Sequence, residues 1–221
     1  MNISRFIDHT LLKATASEDD IRQLCREASE YNFYAVCVNS GYVKLCHELL
    51  SASPVKLAAV VGFPLGAMDS NAKITEAKNA VTNGANEVDM VIKIGWLKSK
   101  KFMEAETEIR QLKQAIGDAV LKVIIETCYL TEEEKKIATK CTIDAGADFV
   151  KTSTGFGTGG ATLEDIRLMK SVTQGKIQIK ASGGIRDYET AKAYIDLGVT
   201  RIGTSNGIQI VTGQQGMEAN Y

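Results

Sequence analysis

Three charged residues interrupt otherwise apolar runs: Asp89 in Glu-Val-Asp-Met-Val, Lys151 in Phe-Val-Lys-Thr-Ser-Thr-Gly, and Lys180 in Gln-Ile-Lys-Ala-Ser-Gly-Gly. An ionised side chain in a strand covered on both faces is costly unless it is paired. A buried lysine–aspartate pair that only ties the fold together would meet that cost. Two lysines against one aspartate, however, leave one amine without a neutralising partner. Burial and a like charge both lower a lysine pKa. An amine freed near neutral pH is a nucleophile, and with a carbonyl substrate it forms a Schiff base.

Glycine-rich turns follow three of the apolar runs: Thr154-Gly-Phe-Gly-Thr-Gly-Gly160, Ser182-Gly-Gly-Ile185 and Gly203-Thr-Ser-Asn-Gly207. Such turns let backbone N–H groups close on an anion, and a following helix adds its dipole. Glycine also serves any tight turn, so one turn would say little; three at the same end of successive strands point to phosphate. Gly155, Gly157 and Gly159 lack the Gly-x-Gly-x-x-Gly spacing of a dinucleotide site. The two histidines, His9 and His47, have no carboxylate at ligand spacing, which argues against a catalytic metal. His47 reads as a helix-surface residue, and Lys98, Lys100 and Lys101 as a solvated helix start.

The elements that must position these residues alternate along the chain. Candidate strands run over Phe6–Asp8, Tyr34–Val38, Leu57–Phe63, Glu87–Ile92, Leu121–Thr127, Phe149–Thr152, Ile177–Ala181 and Arg201–Thr204. Several are unbroken Val/Ile/Leu stretches, as parallel strands buried on both faces are. Between them, Ile21, Leu24, Cys25 and Ala28, and again Ala105, Ile109, Leu112 and Ile116, follow helical stripes. Ser17 with Asp20 resembles a capping box. Eight strands each followed by a helix predict a single (β/α)8 TIM barrel of the α/β class over residues 1–221, with a doubly wound open sheet as the alternative. Gly84, Gly146, Gly175 and Gly198 close helices, and five residues beyond each lie Asp89, Lys151, Lys180 and Gly203. Shared strand parity then directs all four positions into the barrel, with Lys122 placed lower.

Composition narrows the function. At 221 residues, 44% hydrophobic and 24% charged, the chain has ordinary globular usage. The balance of 26 Lys+Arg against 27 Asp+Glu argues against nucleic acid as a partner. No apolar run approaches the roughly 18 residues of a membrane span, and the N-terminus lacks a signal peptide's apolar stretch. Five cysteines without a Cys-x-x-Cys pair read as buried free thiols in a reducing cytoplasm.

Taken together, these segments resemble the class I deoxyribose-phosphate aldolases. The resemblance runs from Ile7-Asp-His-Thr-Leu-Leu-Lys13 through Val61-Gly-Phe-Pro-Leu-Gly66, Glu87-Val-Asp-Met-Val91 and Val123-Ile-Ile-Glu-Thr127. It continues through Val150-Lys-Thr-Ser-Thr-Gly155, Lys180-Ala-Ser-Gly-Gly-Ile-Arg186 and Arg201-Ile-Gly-Thr-Ser205. It implies Lys151 as the Schiff-base lysine, Lys180 as the lysine that tunes it, and Asp89 as the proton-relay carboxylate. Gly155, Gly183, Gly184, Gly203, Ser205 and Asn206 would surround a substrate phosphate. The chain departs from some members at Phe156, where they carry a lysine, and from many at Asn206, where they carry a second serine. Both differences bear on phosphate affinity.

The resemblance implies a lyase that cleaves 2-deoxy-D-ribose 5-phosphate reversibly to D-glyceraldehyde 3-phosphate and acetaldehyde, in deoxyribose phosphate catabolism. It needs no metal and no organic cofactor, since the lysine supplies the electrophile. Another Schiff-base phosphosugar aldolase or transaldolase, and a phosphosugar-binding barrel without turnover, are the alternatives. The protein is expected in the cytoplasm, with a homo-oligomer (dimer or tetramer) open and no membrane partner. After the final helix at Ile208–Val211, the tail 213–221 is expected to be mobile. Its last residue, Tyr221, is a candidate to reach the barrel mouth and assist proton transfer at the enamine carbon.

Overall fold

Apolar residues on every position of a strand need cover on both faces, and a closed ring of parallel strands wrapped by helices supplies it. The computed structural model describes residues 2–213. Its strands are β1 Ile7–Leu11, β2 Ala35–Asn39, β3 Lys56–Val61, β4 Glu87–Val91, β5 Val120–Ile124, β6 Phe149–Lys151, β7 Gln178–Ser182 and β8 Arg201–Thr204. They pair in parallel in sequence order, and β1 closes on β8 through Asp8↔Gly203 and His9↔Thr204. That last pairing rejects the open sheet. The tail beyond Gly213, with Tyr221, lies outside the described residues.

The helices are α1 Glu18–Glu30, α2 Val43–Leu49, α3 Ser70–Thr82, α4 Ile94–Lys98, α5 Phe102–Ile116, α6 Glu132–Asp144, α7 Leu163–Thr173, α8 Tyr188–Asp196 and α9 Gly207–Thr212. α1 starts at the Ser17/Asp20 capping box and buries Ile21, Leu24, Cys25 and Ala28; α5 buries Ala105, Ile109, Leu112 and Ile116. The four helix-closing glycines all have left-handed backbones, with φ of 110° at Gly84, 81° at Gly146, 78° at Gly175 and 102° at Gly198. No helix among the described residues is long and apolar enough to cross a membrane.

Two strand ends differ from the sequence reading by three residues, for local reasons, while the others lie within two. The run Leu121–Thr127 leaves the sheet after Ile124, because Glu126 takes a left-handed backbone (φ 52°) and a short 3-10 turn follows at Thr127–Tyr129. Ile125 is still fully buried in the main core, so the sequence stays apolar past the strand. At the start of the chain, Phe6 ends a 3-10 turn and the strand runs on to Leu11. The cysteine expectation also needs one correction. All five are free, but only Cys25, Cys37, Cys46 and Cys141 are buried, whereas Cys128 is half-buried in the Thr127–Tyr129 turn.

Alternation along the strands sorts their residues. Val36, Val38, Leu57, Ala59, Val88, Met90, Val123, Val150, Ile179 and Ile202 join the core between sheet and helices. The intervening positions fill the lumen. Leu12, Cys37, Ala58 and Val60 make a separate apolar cluster there, with Phe63 packed on it. The charges occupy the other side.

Candidate active site

Lys151 at the end of β6 is 3% exposed, and its Nζ donates to Asp89 Oδ2 on β4 at 2.8 Å. Lys180 on β7 donates to the same oxygen at 2.8 Å. The register sets Lys151 beside Lys180, so the two amines meet over one carboxylate. The sequence expectation that Asp89, Lys151 and Lys180 converge is what the geometry shows. Gly203 also faces the lumen: a Cβ there would stand 3.1 Å from Lys180 Cε and 3.0 Å from Ser182 Cβ. Glycine at 203 therefore makes room for the lysine stem.

Lys122 lies two residues below the level of Lys151, since Ile124 is the register partner of Lys151. Its long stem still brings Nζ to 2.8 Å from Asp89 Oδ1, and it also contacts Glu87. Arg201 donates from Nη1 to Asp8 Oδ1 (2.9 Å) and Glu87 Oε2 (3.0 Å), and from Nη2 to Glu87 Oε1 (3.3 Å). Asp8 contacts Lys180 in turn. Six groups thus form a closed ring of alternating sign: Arg201, Asp8, Lys180, Asp89, Lys122, Glu87 and back to Arg201. Lys151 hangs from this ring by its contact with Asp89.

This arrangement explains why Lys151 behaves unlike the two lysines of the ring. Three carboxylates and three cations neutralise one another within the ring, so a charge on Lys151 would be surplus. Burial pulls the Lys151 amine below the ordinary lysine range and the like charge of Lys180 adds to that; Asp89 opposes without prevailing. Lys180 and Lys122 are also penalised by burial, but Lys180 touches two carboxylates and Lys122 three, and both are held above the ordinary range. Burial pushes Asp89 up, yet Lys122, Lys151 and Lys180 together hold it well below the usual carboxylate range. Burial likewise raises the thiol of Cys37, which stays protonated across the lumen. One amine is poised as a base or nucleophile among fixed charges.

Around the mouth, the loops after β6, β7 and β8 are tied together. Gly160 lies against Gly183, where a Cβ would come 2.2 Å from the Gly183 carbonyl oxygen; no side chain fits there. Ala161 N donates to Ser182 O and Gly183 O at 3.1 Å, and Thr204 Oγ1 donates to Ile185 O at 2.7 Å. Gly155, Gly183 and Gly184 all have left-handed backbones (φ 88°, 85° and 78°), and around Gly184 a Cβ would meet open space. Asn206 is buried and Ser205 half-buried just ahead of α9. The buried Glu126 accepts from Thr154 N at 3.2 Å and from Thr154 Oγ1, fixing the turn that follows Lys151. A surface groove of about 550 Å³ between Ser40 and the Asn71–Asn83 face of α3 holds none of the ring residues.

Asp8, Glu87, Arg201 and Glu126 escaped the sequence reading as site residues. Glu87 and Arg201 open their strands, where a charge ordinarily faces solvent. Parity could have found them: each stands two residues before a lumen position, Asp89 and Gly203. The His9 Nε2 lies 2.7 Å from Glu27 Oε2 on α1, where the imidazole ring ties β1 to that helix.

With this geometry in place, comparison with known proteins is direct. A family model described as DeoC/LacD family aldolase matches residues 4–210. The deoxyribose-phosphate aldolase of Bdellovibrio bacteriovorus is 54% identical over 96% of this chain and 97% of its own. That of Brevibacillus brevis is 53% identical over 100% of both chains. A solved structure described as QR15, an aldolase, superposes with a TM-score of 0.93 at 46% identity, covering 96% of each chain. Another, described as a unique tetrameric structure of deoxyribose phosphate aldolase from Aeropyrum pernix, gives 0.88 at 32% identity over 96% of this chain and 90% of its own. On this agreement of sequence, barrel and buried lysines, the chain belongs to the DeoC/LacD family of aldolases.

Proposed function

We propose that the protein is a class I aldolase that cleaves 2-deoxy-D-ribose 5-phosphate reversibly to D-glyceraldehyde 3-phosphate and acetaldehyde. The observation that carries this reading is the pendant amine of Lys151 beside a charge ring that is balanced without it. Lys151 Nζ adds to the C1 aldehyde, and loss of water gives an iminium ion. That ion is an electron sink, so the C2–C3 bond breaks as the C3 hydroxyl gives up its proton. The glyceraldehyde phosphate leaves, the enamine takes a proton at C2, and water releases acetaldehyde and the free amine. Asp89, through water, and Lys180 move the protons. The apolar wall of Leu12, Cys37, Ala58, Val60 and Phe63 suits a two-carbon aldehyde without polar groups.

Gly155, Gly183, Gly184, Ser205 and Asn206 supply the phosphate cradle in this reading, with Gly203 serving as the gap beside Lys180. Backbone N–H groups carry most of the anion contact. Gly184→Val is then expected to raise KM for 2-deoxyribose 5-phosphate at least about tenfold more than KM for 2-deoxyribose, because β-branching is unfavourable at a positive φ. Equal effects on the two substrates would make Gly184 a turn glycine only.

The assay that decides the function is retro-aldol cleavage of 2-deoxyribose 5-phosphate, joined to borohydride trapping with acetaldehyde. A two-carbon adduct on Lys151 together with turnover supports the reading. Trapping by a ketose phosphate instead would indicate an aldolase or transaldolase of other specificity. Failure of either to react would leave a phosphosugar-binding barrel. The five free thiols fit a cytoplasmic enzyme, and light scattering tests whether it assembles as a homo-oligomer.

A further inference from the structure

The ring has a far side that the proposed reaction never touches. Arg201 and Glu87 sit at the start of β8 and β4, two residues before Gly203 and Asp89. The Arg201 guanidinium grips Glu87 with both terminal nitrogens and stacks 3.5 Å from the centroid of the Tyr34 ring. It touches Asp8 as well, so it orients two of the three carboxylates that hold the ring's lysines. Each of those lysines then reaches Asp89.

We propose that Glu87 and Arg201 are positioning residues for Lys151: by closing the ring and balancing its charge, they set the pH at which the reacting amine is free. The inference rests on the reading of Lys151 as the Schiff-base lysine. The charged and titratable groups around that amine come from most of the barrel. Asp89 on β4, Lys180 on β7 and Cys37 on β2 face the amine itself, and behind them, linked through the ring, stand Asp8 on β1, Glu87 on β4, Lys122 on β5 and Arg201 on β8. Glu126 beyond β5 is engaged by Thr154. Removing any one ring charge leaves an uncompensated charge of known sign in a buried, poorly screened lumen.

The signs follow directly. Glu87→Gln leaves the ring one positive charge in excess, so Lys151 sheds its proton more readily and the acidic limb of kcat/KM moves to lower pH. Arg201→Gln leaves one negative charge in excess and moves the limb to higher pH. A unit charge roughly 10 Å away through an effective dielectric of about 20 gives a shift on the order of one pH unit. The double variant Glu87→Gln/Arg201→Gln is balanced again, and its limb returns towards that of the parent. A merely structural defect would lower the rate at every pH and leave the limb in place.

The experiment is a pH–rate profile of the three variants, with borohydride trapping of acetaldehyde on each. Opposite limb shifts in the single variants, cancelling in the double, support the proposal. If Arg201→Gln does not fold, Glu87→Gln and the charge-conserving Glu87→Asp give the same decision: a downward shift in the first, absent in the second. Unmoved limbs, or shifts of one sign throughout, with the adduct still on Lys151, overturn it. An adduct on another residue of the parent protein overturns the Schiff-base reading itself, which separates the two failures.

Discussion

Lys151→Ala is expected to abolish cleavage of 2-deoxyribose 5-phosphate, with kcat lower by roughly 10⁴-fold or more, because no other amine in the lumen is both free and unneutralised. Lys180 contacts two carboxylates and Lys122 three, and both stay protonated, so neither can substitute. Acetaldehyde with borohydride should place a single reduced two-carbon adduct on Lys151, read by mass spectrometry of the digested protein. An adduct on Lys180, or none, removes the assignment. The fold should survive, since the six-membered ring stays balanced when its pendant amine is deleted. The lowered pKa also fixes a sign for stability. An amine protonated in the unfolded chain but driven to lose its proton by burial opposes folding most at low pH, and that penalty fades as pH rises from the lowered folded value towards the unfolded pKa of about 10.4. Lys151→Ala should therefore keep or raise Tm at pH 7 relative to the parent, with the difference shrinking towards pH 10.

Lys180→Leu should have the next largest effect, and it differs in kind. It opens the ring and deprives both Asp8 and Asp89 of a cation. Lys151 then faces the full charge of Asp89 without a competing ammonium on the same oxygen, so its amine holds its proton more tightly. The pH–rate profile should show its acidic limb displaced upward by a unit or more, together with a fall in kcat. If Lys180 served only to donate a proton, the variant would be slow at every pH with the limb unmoved. Breaking a buried ionic network by removing one partner typically costs about 3–5 kcal/mol, so a lower Tm accompanies either result. That stability loss should ease in acid. Asp8 and Asp89 have depressed pKa values in the parent, so their pairing stabilises it above the unfolded carboxylate value and ceases to do so as pH falls below it.

How far each feature could be read ahead of the structure depended on whether its cause is local. Helix starts and stops were legible because they are settled within a turn. The Ser17/Asp20 box caps α1 by its own hydrogen bonds, and the glycines at 84, 146 and 198 follow helix ends with a left-handed backbone glycine takes without cost, while at α7 Gln174 already turns left-handed (φ 48°) before Gly175. Parity was legible too. A strand's side chains alternate, and similar spacing after each helix-closing glycine brought Asp89, Lys151 and Lys180 to the lumen. The end of β5 was not, because apolarity reports burial rather than extension, and Ile125 remains buried after the chain has left the sheet.

Residue patterning alone favoured a barrel over an open sheet, set the inward direction of the three central charges and, through its motifs, carried the aldolase resemblance. What it could not supply was the partner of each charge. That required the closure of β1 on β8, which brings Asp8 beside Lys180 and Arg201 across more than 170 residues of chain. It also required the ring's register, which lets Lys122 climb to Asp89 from a lower level. Read as a string, the lumen holds two lysines against one aspartate, with Lys122 lower down and no partner given. Folded, it holds a neutral ring of six and one lysine over. The pKa of a buried amine is set by every charge within a few ångströms, and those neighbours are chosen by the tertiary fold, not by adjacency along the chain.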